Sequence, residues 1–301
     1  MTMTKVILAG MAVLLMAAGP VHAEDKVLTM STTTSTQASG LLDILLPEFK
    51  KDTGIDIKVI AKGTGAAIRD GMDGNVDVIF VHAKGREEKF VEEAYGTKRY
   101  AVMHNDFVIL GPPADPAGIK GLEDASAALE KIAESDGQFI SRGDDSGTHT
   151  KEQILWKSTD LKLAEQTQTI VKKGKDVEIT FTSPADSDDW YVSIGQGMGK
   201  TITYADEKEA YTLADRGTFI KYKYGKTPAI DLEVLTAGDE ALSNPYGVIP
   251  VNPEKYSHVK YDMAKTFAEW ITSKKGQKLI NDYRLEGKQL FHPDAIDAAQ
   301  L

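Results

Sequence analysis

Apolar and β-branched runs alternate with amphipathic segments along most of the chain from Val27 onward. The first pair is the run VLTMS and, after a hydroxyl-rich stretch, the segment LLDILLPEF, whose leucines and phenylalanine recur at helical spacing. Further apolar runs are IDIKVIA, VDVIFVHA, DFVILG and QFIS, and amphipathic segments separate them. This alternation predicts an α/β fold with mostly parallel sheets.

Two proline-rich passages indicate that the chain crosses twice between two lobes. The strand DFVILG runs directly into PPADPAG, and a second proline-containing strand, SNPYGVIPVNP, follows far downstream. The helical pattern after the second crossing, at 261–283, is expected to rejoin the first lobe. We therefore predict a first lobe formed by 24–109 and 246–301, and a second lobe formed by 110–245.

The first 23 residues have the pattern of a secretory signal peptide, with Lys5 before an apolar run at 6–18 and small residues up to Ala23. This run is well short of the ~20 apolar residues that span a bilayer. We expect export to the periplasm with cleavage near Ala23, and no membrane span in the mature chain. The absence of cysteine excludes disulfides and thiolate metal sites.

The formal net charge of −10 makes nucleic acid an improbable partner. It also opposes the long-range attraction of small anions. Any anion site in this chain must therefore be built from local dipoles and a few close donors.

One candidate site is the stretch STTTST at 31–36, which lies between the first predicted strand and helix. One or two hydroxyl residues suffice to cap a helix, and six exceed that need. Hydroxyls together with the free N–H groups of a helix start form a neutral cup for an oxyanion. The stretch therefore predicts anion binding.

A second candidate is the segment RGDDSGT, again between a predicted strand and helix. Arg142 supplies a planar cation suited to tetrahedral oxygens, and Gly147 allows close backbone approach. Ser146 and Thr148 add hydroxyl and N–H donors. If the two candidates belong to different lobes, we expect them to face each other across a cleft.

Weaker candidates are the turn of Gly63 and Thr64, which is equally compatible with an ordinary strand-to-helix connection, and the strand end at Val81 and His82. At that strand end we expect a backbone donor near the cleft. A histidine at such an edge is more often structural than a ligand.

Several other chemistries fit the sequence poorly. The segment GQGMGKT lacks the first glycine of a phosphate-binding loop, because position 194 is isoleucine. The histidines do not have metal-ligand spacing, so we expect no free metal cation and no cofactor. Asp144, Ser146 and His149 include the residue types of a hydrolytic triad, but no nucleophile-elbow pattern accompanies them. An exported hydrolase is therefore the less favoured alternative.

The motifs STTTST with SGLLDILLPEF, and SRGDDSGTHTKE, resemble the tungstate-binding proteins of bacterial ABC transporters. The segments GTG, DVIFVHA, GQGMGKT, EAYTLADRGTF and NPYGVIPVNP extend the likeness over about 28–291. The resemblance implies a type II periplasmic binding fold, two α/β lobes joined by two crossing strands, with a preference for tungstate over molybdate and a transporter permease as partner. It implies binding by Thr33, Thr34 and Ser35, and by Arg142, Ser146, Gly147 and Thr148.

We accordingly expect a monomer that closes over a proton-free dianion, with Arg142 as the principal counter-charge. Asp144 should pair with Arg142 or lie outside the oxygen shell. The pattern Arg-x-Asp-x-Ser-Gly-Thr also resembles phosphate-binding proteins, which makes phosphate the leading rival ligand. Size and charge do not separate tungstate from molybdate. A sensor that docks to a signalling partner would share the same fold.

Overall fold

The computed structural model describes residues 26–172, 174–187 and 189–301, so the predicted signal peptide and its cleavage site lie outside the described residues. The strands are β1 Val27–Thr33, β2 Asp56–Lys62, β3 Val78–Val81, β4 Tyr100–Gly111, β5 Phe139–Ser141, β6 Leu163–Lys172, β7 Lys175–Pro184, β8 Tyr191–Ser193, β9 Tyr211–Asp215, β10 Glu233–Thr236, β11 Ser243–Pro250, β12 Arg284–Leu285, β13 Lys288–Gln289 and β14 His292–Pro293. The helices are α1 Thr34–Ser39, α2 Leu41–Thr53, α3 Thr64–Met72, α4 Lys84–Glu92, α5 Ala125–Ala133, α6 Gly147–Lys157, α7 Met198–Glu207, α8 Arg216–Tyr224, α9 Tyr261–Ile271 and α10 Lys274–Asp282, with 3₁₀ turns at Glu240–Leu242 and Ala298–Gln300.

Strand β4 joins two groups of parallel strands. In the first group β1 pairs in parallel with β2 and β3, and in the second β5 pairs in parallel with β8 and β9. The first part of β4, up to Asp106, pairs antiparallel with β11, whereas its last part, from Phe107, pairs antiparallel with β9 and β10. The predicted two-lobed α/β fold with crossing strands is confirmed, and the lobe boundaries stay a prediction.

The core consists of apolar residues on the sheet and on the helix faces that cover it. All four residues of β3 are buried, as expected for a strand covered on both sides. On α2, Leu41, Leu45 and Phe49 are fully buried, and the Phe49 ring lies 5.2 Å from that of Phe267 on α9. Burial of each such side chain contributes about 1.5–3 kcal/mol. The helices from both chain ends are thereby held on one sheet.

A long β-hairpin of β6 and β7 has no counterpart in the sequence predictions. Its two ten-residue strands pair antiparallel from Leu163↔Pro184 to Lys172↔Lys175. Gly174, in the turn, has a φ of +74°, a conformation that glycine adopts without strain. The alternating pattern on both sides of this glycine is the signal that identifies such a hairpin.

Within the described ranges, none of the helices combines the length and the apolar character that crossing a membrane requires.

Candidate functional site

A cavity of about 960 Å³ lies where the starts of α1, α3, α4 and α6 converge. All but one of the predicted site residues line it: Thr33, Thr34, Ser35, Gly63, Thr64, His82, Arg142, Ser146, Gly147 and Thr148. The exception is Val81, which is fully buried in β3 and packs in the apolar core. The structure thus brings together segments that are more than 100 residues apart in the sequence.

Two helix starts face each other across this cavity. A Cβ atom placed on Gly147, the first residue of α6, would lie 3.9 Å from Oγ1 of Thr64, the first residue of α3. The N–H groups of Thr64 and Gly65 precede the first intrahelical bonds of α3, which Ala66 and Ala67 donate to the Gly63 carbonyl. The α6 start has the same open donors at Gly147 and Thr148, because Thr150 donates its first intrahelical bond. Open donors therefore come from both sides.

The sequence suggested that the hydroxyl-rich stretch at 31–36 forms a single turn, but in the structure it is divided between β1 and α1. Ser31 and Thr32 lie within β1, where Ser31 Oγ donates to Asp70 (2.8 Å) and Thr32 Oγ1 donates to the Phe80 carbonyl (2.6 Å). These two hydroxyls are therefore used for hydrogen bonds inside the fold. Thr36 is also fully buried. Of the six residues of this stretch, those that line the cavity are Thr33, Thr34 and Ser35.

The hydroxyls of Thr33 and Ser35 converge on the imidazole of His82. Nε2 of His82 lies 3.0 Å from Thr33 Oγ1 and 3.1 Å from Ser35 Oγ. Thr33 also caps α1 by accepting the N–H of Thr36 at 3.1 Å. The His82 ring stacks on Tyr246 with 4.6 Å between centroids, and its Nδ1 lies 3.0 Å from Oδ1 of Asn244. His82 therefore supports the hydroxyl side of the cavity through its side chain.

Arg142 lies on the loop between β5 and α6 and is already paired. Its Nη2 donates to Asp144 Oδ2 at 2.6 Å, and its Nη1 donates to Thr148 Oγ1 at 3.2 Å. The predicted pairing of Asp144 with Arg142 is thus observed. Nε of Arg142 is a buried donor that has no hydrogen-bond partner among the described residues. Orphan buried donors are rare in folded proteins, and this one belongs to a residue that lines the cavity.

The loop that carries Arg142 is fixed by backbone contacts. The Gln196 N–H donates to the Arg142 carbonyl at 3.0 Å. Gly143 has a φ of +55°, and a Cβ atom there would lie 1.8 Å from Ser193 Oγ, so only glycine fits. The GQGMGKT segment itself does not line the cavity. Gly197 is the N-cap of α7, and Gln196 hydrogen-bonds to the loop that carries Arg142.

Cationic side chains outnumber carboxylates on the described cavity lining. The cations are Lys62, Lys84, Arg86, Arg142, Lys151 and Lys221, and the carboxylates are Asp145, Asp215 and Glu240. Lys62 is engaged by Asp70 at 2.7 Å, and burial lowers the pKa of Lys151. The described lining therefore carries more positive than negative side chains, although the chain as a whole is negatively charged.

Sequence reasoning missed Arg86, which stands beside the α3 start. Its Nη1 would lie 3.6 Å from a Cβ atom on Gly65, and it forms no ion pair within the part of the chain that the structure describes. The signal was the basic sequence Lys-Gly-Arg directly after the VHA strand end. Arg142 is compensated by Asp144, so Arg86 is an exposed cation on the cavity lining that no carboxylate of the described residues neutralises.

A buried carboxyl lies behind the arginine loop. Glu152 is 2% exposed and accepts hydrogen bonds from Ser141 (2.9 Å), Trp156 (3.3 Å) and Tyr191 (2.7 Å). Burial raises the pKa of Glu152 to about 7, although these hydrogen bonds favour the charged form. Ser141 Oγ in turn accepts the Gly143 N–H at 3.2 Å, so Glu152 supports the loop that positions Arg142.

The residues considered for hydrolysis have structural roles. Ser146 Oγ caps α6 by accepting the His149 N–H at 3.3 Å, and Nδ1 of His149 accepts the Asp145 N–H at 3.1 Å. A serine nucleophile needs a side-chain base at its hydroxyl, and this ring nitrogen is engaged by the backbone instead. In the described ranges no cluster of three or more histidine and acidic residues could hold a metal ion.

A cleft between two α/β lobes, lined by hydroxyls, helix starts and arginine, defines a protein that encloses a small anionic solute. The chain belongs to the PBP superfamily, with 20–275 matching the family described as a PBP superfamily domain, and within it to the family of the TupA proteins. It is 46% identical over 270 residues to the tungstate-binding protein TupA of Peptoclostridium acidaminophilum, covering 88% of this chain and 85% of that protein.

Other comparisons agree. The tungstate-binding protein TupA of Campylobacter jejuni is 38% identical over 261 residues, covering 87% of this chain and 88% of that protein. The solved structure of the tungstate-binding protein TupA from Desulfovibrio alaskensis is 45% identical, with a TM-score of 0.79 over 90% of this chain and 99% of that chain. These relatives are binding proteins, so the expectation of a binding protein rather than an enzyme is confirmed.

Proposed function

We propose that this chain captures tungstate in the cavity, and molybdate as a secondary ligand, and delivers it to the permease of an ABC transporter. The observation that carries the proposal is the convergence of the α3 and α6 starts with Arg142 and the hydroxyls of Thr33, Thr34 and Ser35. The TupA relatives, which are named as tungstate-binding proteins, support the choice of ion.

A tetrahedral dianion in this cavity would accept hydrogen bonds from several directions. The hydroxyls of Thr33, Thr34 and Ser35, the N–H groups at the starts of α3 and α6, and Nε of Arg142 are all donors. Burial of a dianion is costly unless its oxygens are hydrogen-bonded. A cavity of about 960 Å³ is far larger than one such ion, so closure of its open parts would exclude water from the bound ion.

The protonation state of the ligand favours tungstate over phosphate. Phosphate carries a proton near neutral pH and is best held where a free carboxylate accepts that proton. Asp144 is engaged by Arg142 at 2.6 Å and so is a poor acceptor for such a proton. Asp145, which also lines the cavity, would repel an ion that has no proton to donate, and we therefore place it outside the oxygen shell. The relatives do not favour phosphate either.

We further propose that the lobes are 24–109 with 246–301, and 110–245, and that they close about strand β4 and the connection between β10 and β11. Closure would present the surface that a permease recognises, so that the empty carrier is not mistaken for the loaded one. Cleavage of the leader near Ala23 would release the chain into the periplasm as a monomer. Tungstate is a ligand in this scheme, and no cofactor takes part.

Isothermal titration calorimetry of the mature chain from Glu24 with tungstate, molybdate, phosphate and sulfate tests the proposal. We expect one site per chain, tight binding of tungstate, equal or weaker binding of molybdate, and far weaker binding of the other two ions. Phosphate bound more tightly than tungstate, or no binding of either metal oxyanion, would overturn it. Melting temperatures with each ion give an independent measurement.

A further inference from the structure

A chain of side-chain hydrogen bonds fixes the orientation of His82. Asn244 Nδ2 donates to Asn105 Oδ1 at 2.7 Å, which leaves Asn244 Oδ1 as the acceptor 3.0 Å from His82 Nδ1. The proton of the neutral ring is therefore on Nδ1. Nε2 carries the lone pair and accepts a hydrogen from Thr33 or Ser35, whose oxygens lie 3.0 and 3.1 Å away.

This arrangement is unfavourable for an anion. A hydroxyl that donates to Nε2 presents its lone pairs, not its hydrogen, to the cavity. If Nε2 gained a proton, the same contact would run in reverse: Nε2–H would donate to the hydroxyl oxygen. The hydroxyl hydrogen would then be free to point at a bound oxygen, and the ring would add one positive charge.

We propose that His82 takes up one proton from solvent at Nε2 when the oxyanion binds, and that this proton turns the hydroxyl hydrogen of Thr33 or Ser35, whichever donates to Nε2, toward the ligand. The inference rests on the proposed function of the cavity. It makes His82 a positioning residue, because it acts on the ligand through a neighbouring hydroxyl. It also supplies a positive charge that Arg142, paired with Asp144, does not provide in full.

The groups around His82 have opposing effects on the pKa of its imidazole. Burial lowers the pKa of His82, while the Asn244 hydrogen bond and the Asp215 carboxylate oppose that effect, so the free ring is neutral near pH 7. Its other neighbours are uncharged: Thr33 and Ser35 on the α1 side, and Asn244 and Tyr246 on β11, where burial raises the pKa of the Tyr246 hydroxyl.

The cations Lys84 and Arg86 follow in the sequence, are exposed and line the same cavity. A dianion next to the imidazole reverses this balance, because two negative charges raise the pKa of an adjacent histidine.

Calorimetry in buffers of different ionisation enthalpy measures the proton directly. Between about pH 7 and about pH 9, where tungstate carries no proton, we expect the wild-type chain to take up close to one proton per ion at the lower pH. Its affinity should fall up to tenfold per pH unit as pH rises through the pKa of the complexed His82. His82→Gln should bind without proton uptake and with affinity independent of pH.

Two further measurements separate the possible failures. His258→Gln, which alters a histidine bonded to the Gly74 carbonyl away from the cavity, should keep the wild-type pH dependence. Imidazole ¹⁵N shifts of the wild-type chain should show His82 neutral when free and cationic with tungstate, even if the variant does not fold. Tungstate binding without proton uptake would overturn this inference alone, whereas no tungstate binding at any pH would overturn the proposed function.

Discussion

Gly147 and Thr64 face each other across the cavity at a separation that leaves room for a Cβ atom but not for a larger side chain. A Cβ atom on Gly147 would meet Oγ1 of Thr64 at 3.9 Å, an ordinary van der Waals contact. Each residue begins a helix, and the first N–H groups of both helices precede the first intrahelical hydrogen bonds. Because a Cβ atom already fills this gap, a larger residue at 147 would force the two turns apart and oppose closure around a small ion.

A large side chain at this position should prevent closure. We expect Gly147→Leu to weaken tungstate binding at least ~100-fold, because the closed state would be lost from the binding equilibrium. Its melting temperature without ligand should change little, since Gly147 is exposed and its φ is not in the left-handed region. Calorimetry and thermal denaturation check the two parts.

Gly197→Leu is the matched control for that variant. Gly197 also stands at a helix start in the downstream half of the chain, a Cβ atom placed on it would meet no atom within 4 Å, and it does not line the cavity. Its tungstate affinity should equal that of the wild type. Equal affinities of both leucine variants would show that the helix starts do not approach each other on binding.

Local sequence patterns predicted the elements of the site better than their contacts. The strand ends and helix starts near Thr33, Thr64 and Gly147 follow from short-range signals: a β-branched run, then hydroxyl or glycine, then helical spacing. Short-range signals do not predict how the hydroxyl stretch 31–36 is divided between β1 and α1. Ser31 and Thr32 belong to the sheet because Asp70 and the Phe80 carbonyl accept their hydrogens, and neither partner is local in sequence.

Side-chain contacts between residues far apart in the sequence account for the part of the site that local patterns did not predict. His82 meets Asn244 across 162 positions, and no local pattern specifies that meeting. The side-chain role of His82 was therefore missed, although its position at a strand end was recognised. Arg86 was missed for another reason: a basic residue in the first turn of a helix is common, and only the fold places this one beside Gly65 at the cavity.

Arg86 is expected to contribute attraction to the dianion. Arg86→Gln should lower tungstate affinity about five- to tenfold and make the association rate less dependent on salt, since one cation is lost from the cavity mouth. Stopped-flow binding at several ionic strengths measures both effects. Arg69→Gln removes the same charge from an exposed site on α3 outside the cavity and should leave the rate within about twofold of the wild type.

Arg142 and Asp144 should be separable by a pair of variants. Arg142→Ala removes the orphan Nε donor and leaves the Asp144 carboxylate without its partner, so we expect about a 100-fold loss of tungstate affinity or more. The double variant Arg142→Ala with Asp144→Ala removes the repulsion as well and should recover part of that loss. Calorimetry of both variants is the measurement; unchanged affinity in the single variant would exclude this cavity as the site.

The buried carboxyl of Glu152 makes the stability of the fold depend on pH. Its pKa is raised from 4.5 to about 7 by burial, so the folded chain binds a proton here that the unfolded chain releases. This contribution to stability is fully present below about pH 4.5 and is lost as pH rises to about 7. Glu152→Gln keeps a similar shape and avoids the buried charge.

We therefore expect Glu152→Gln to raise the free energy of unfolding by about 1–3 kcal/mol at pH 8 and by much less at pH 5. Urea denaturation at the two pH values measures the difference. Glu254→Gln makes the same change at an exposed position and should alter neither value by more than about 0.5 kcal/mol. A Glu152→Gln gain of the same size at both pH values would mean that packing, not the buried charge, sets the cost at this position.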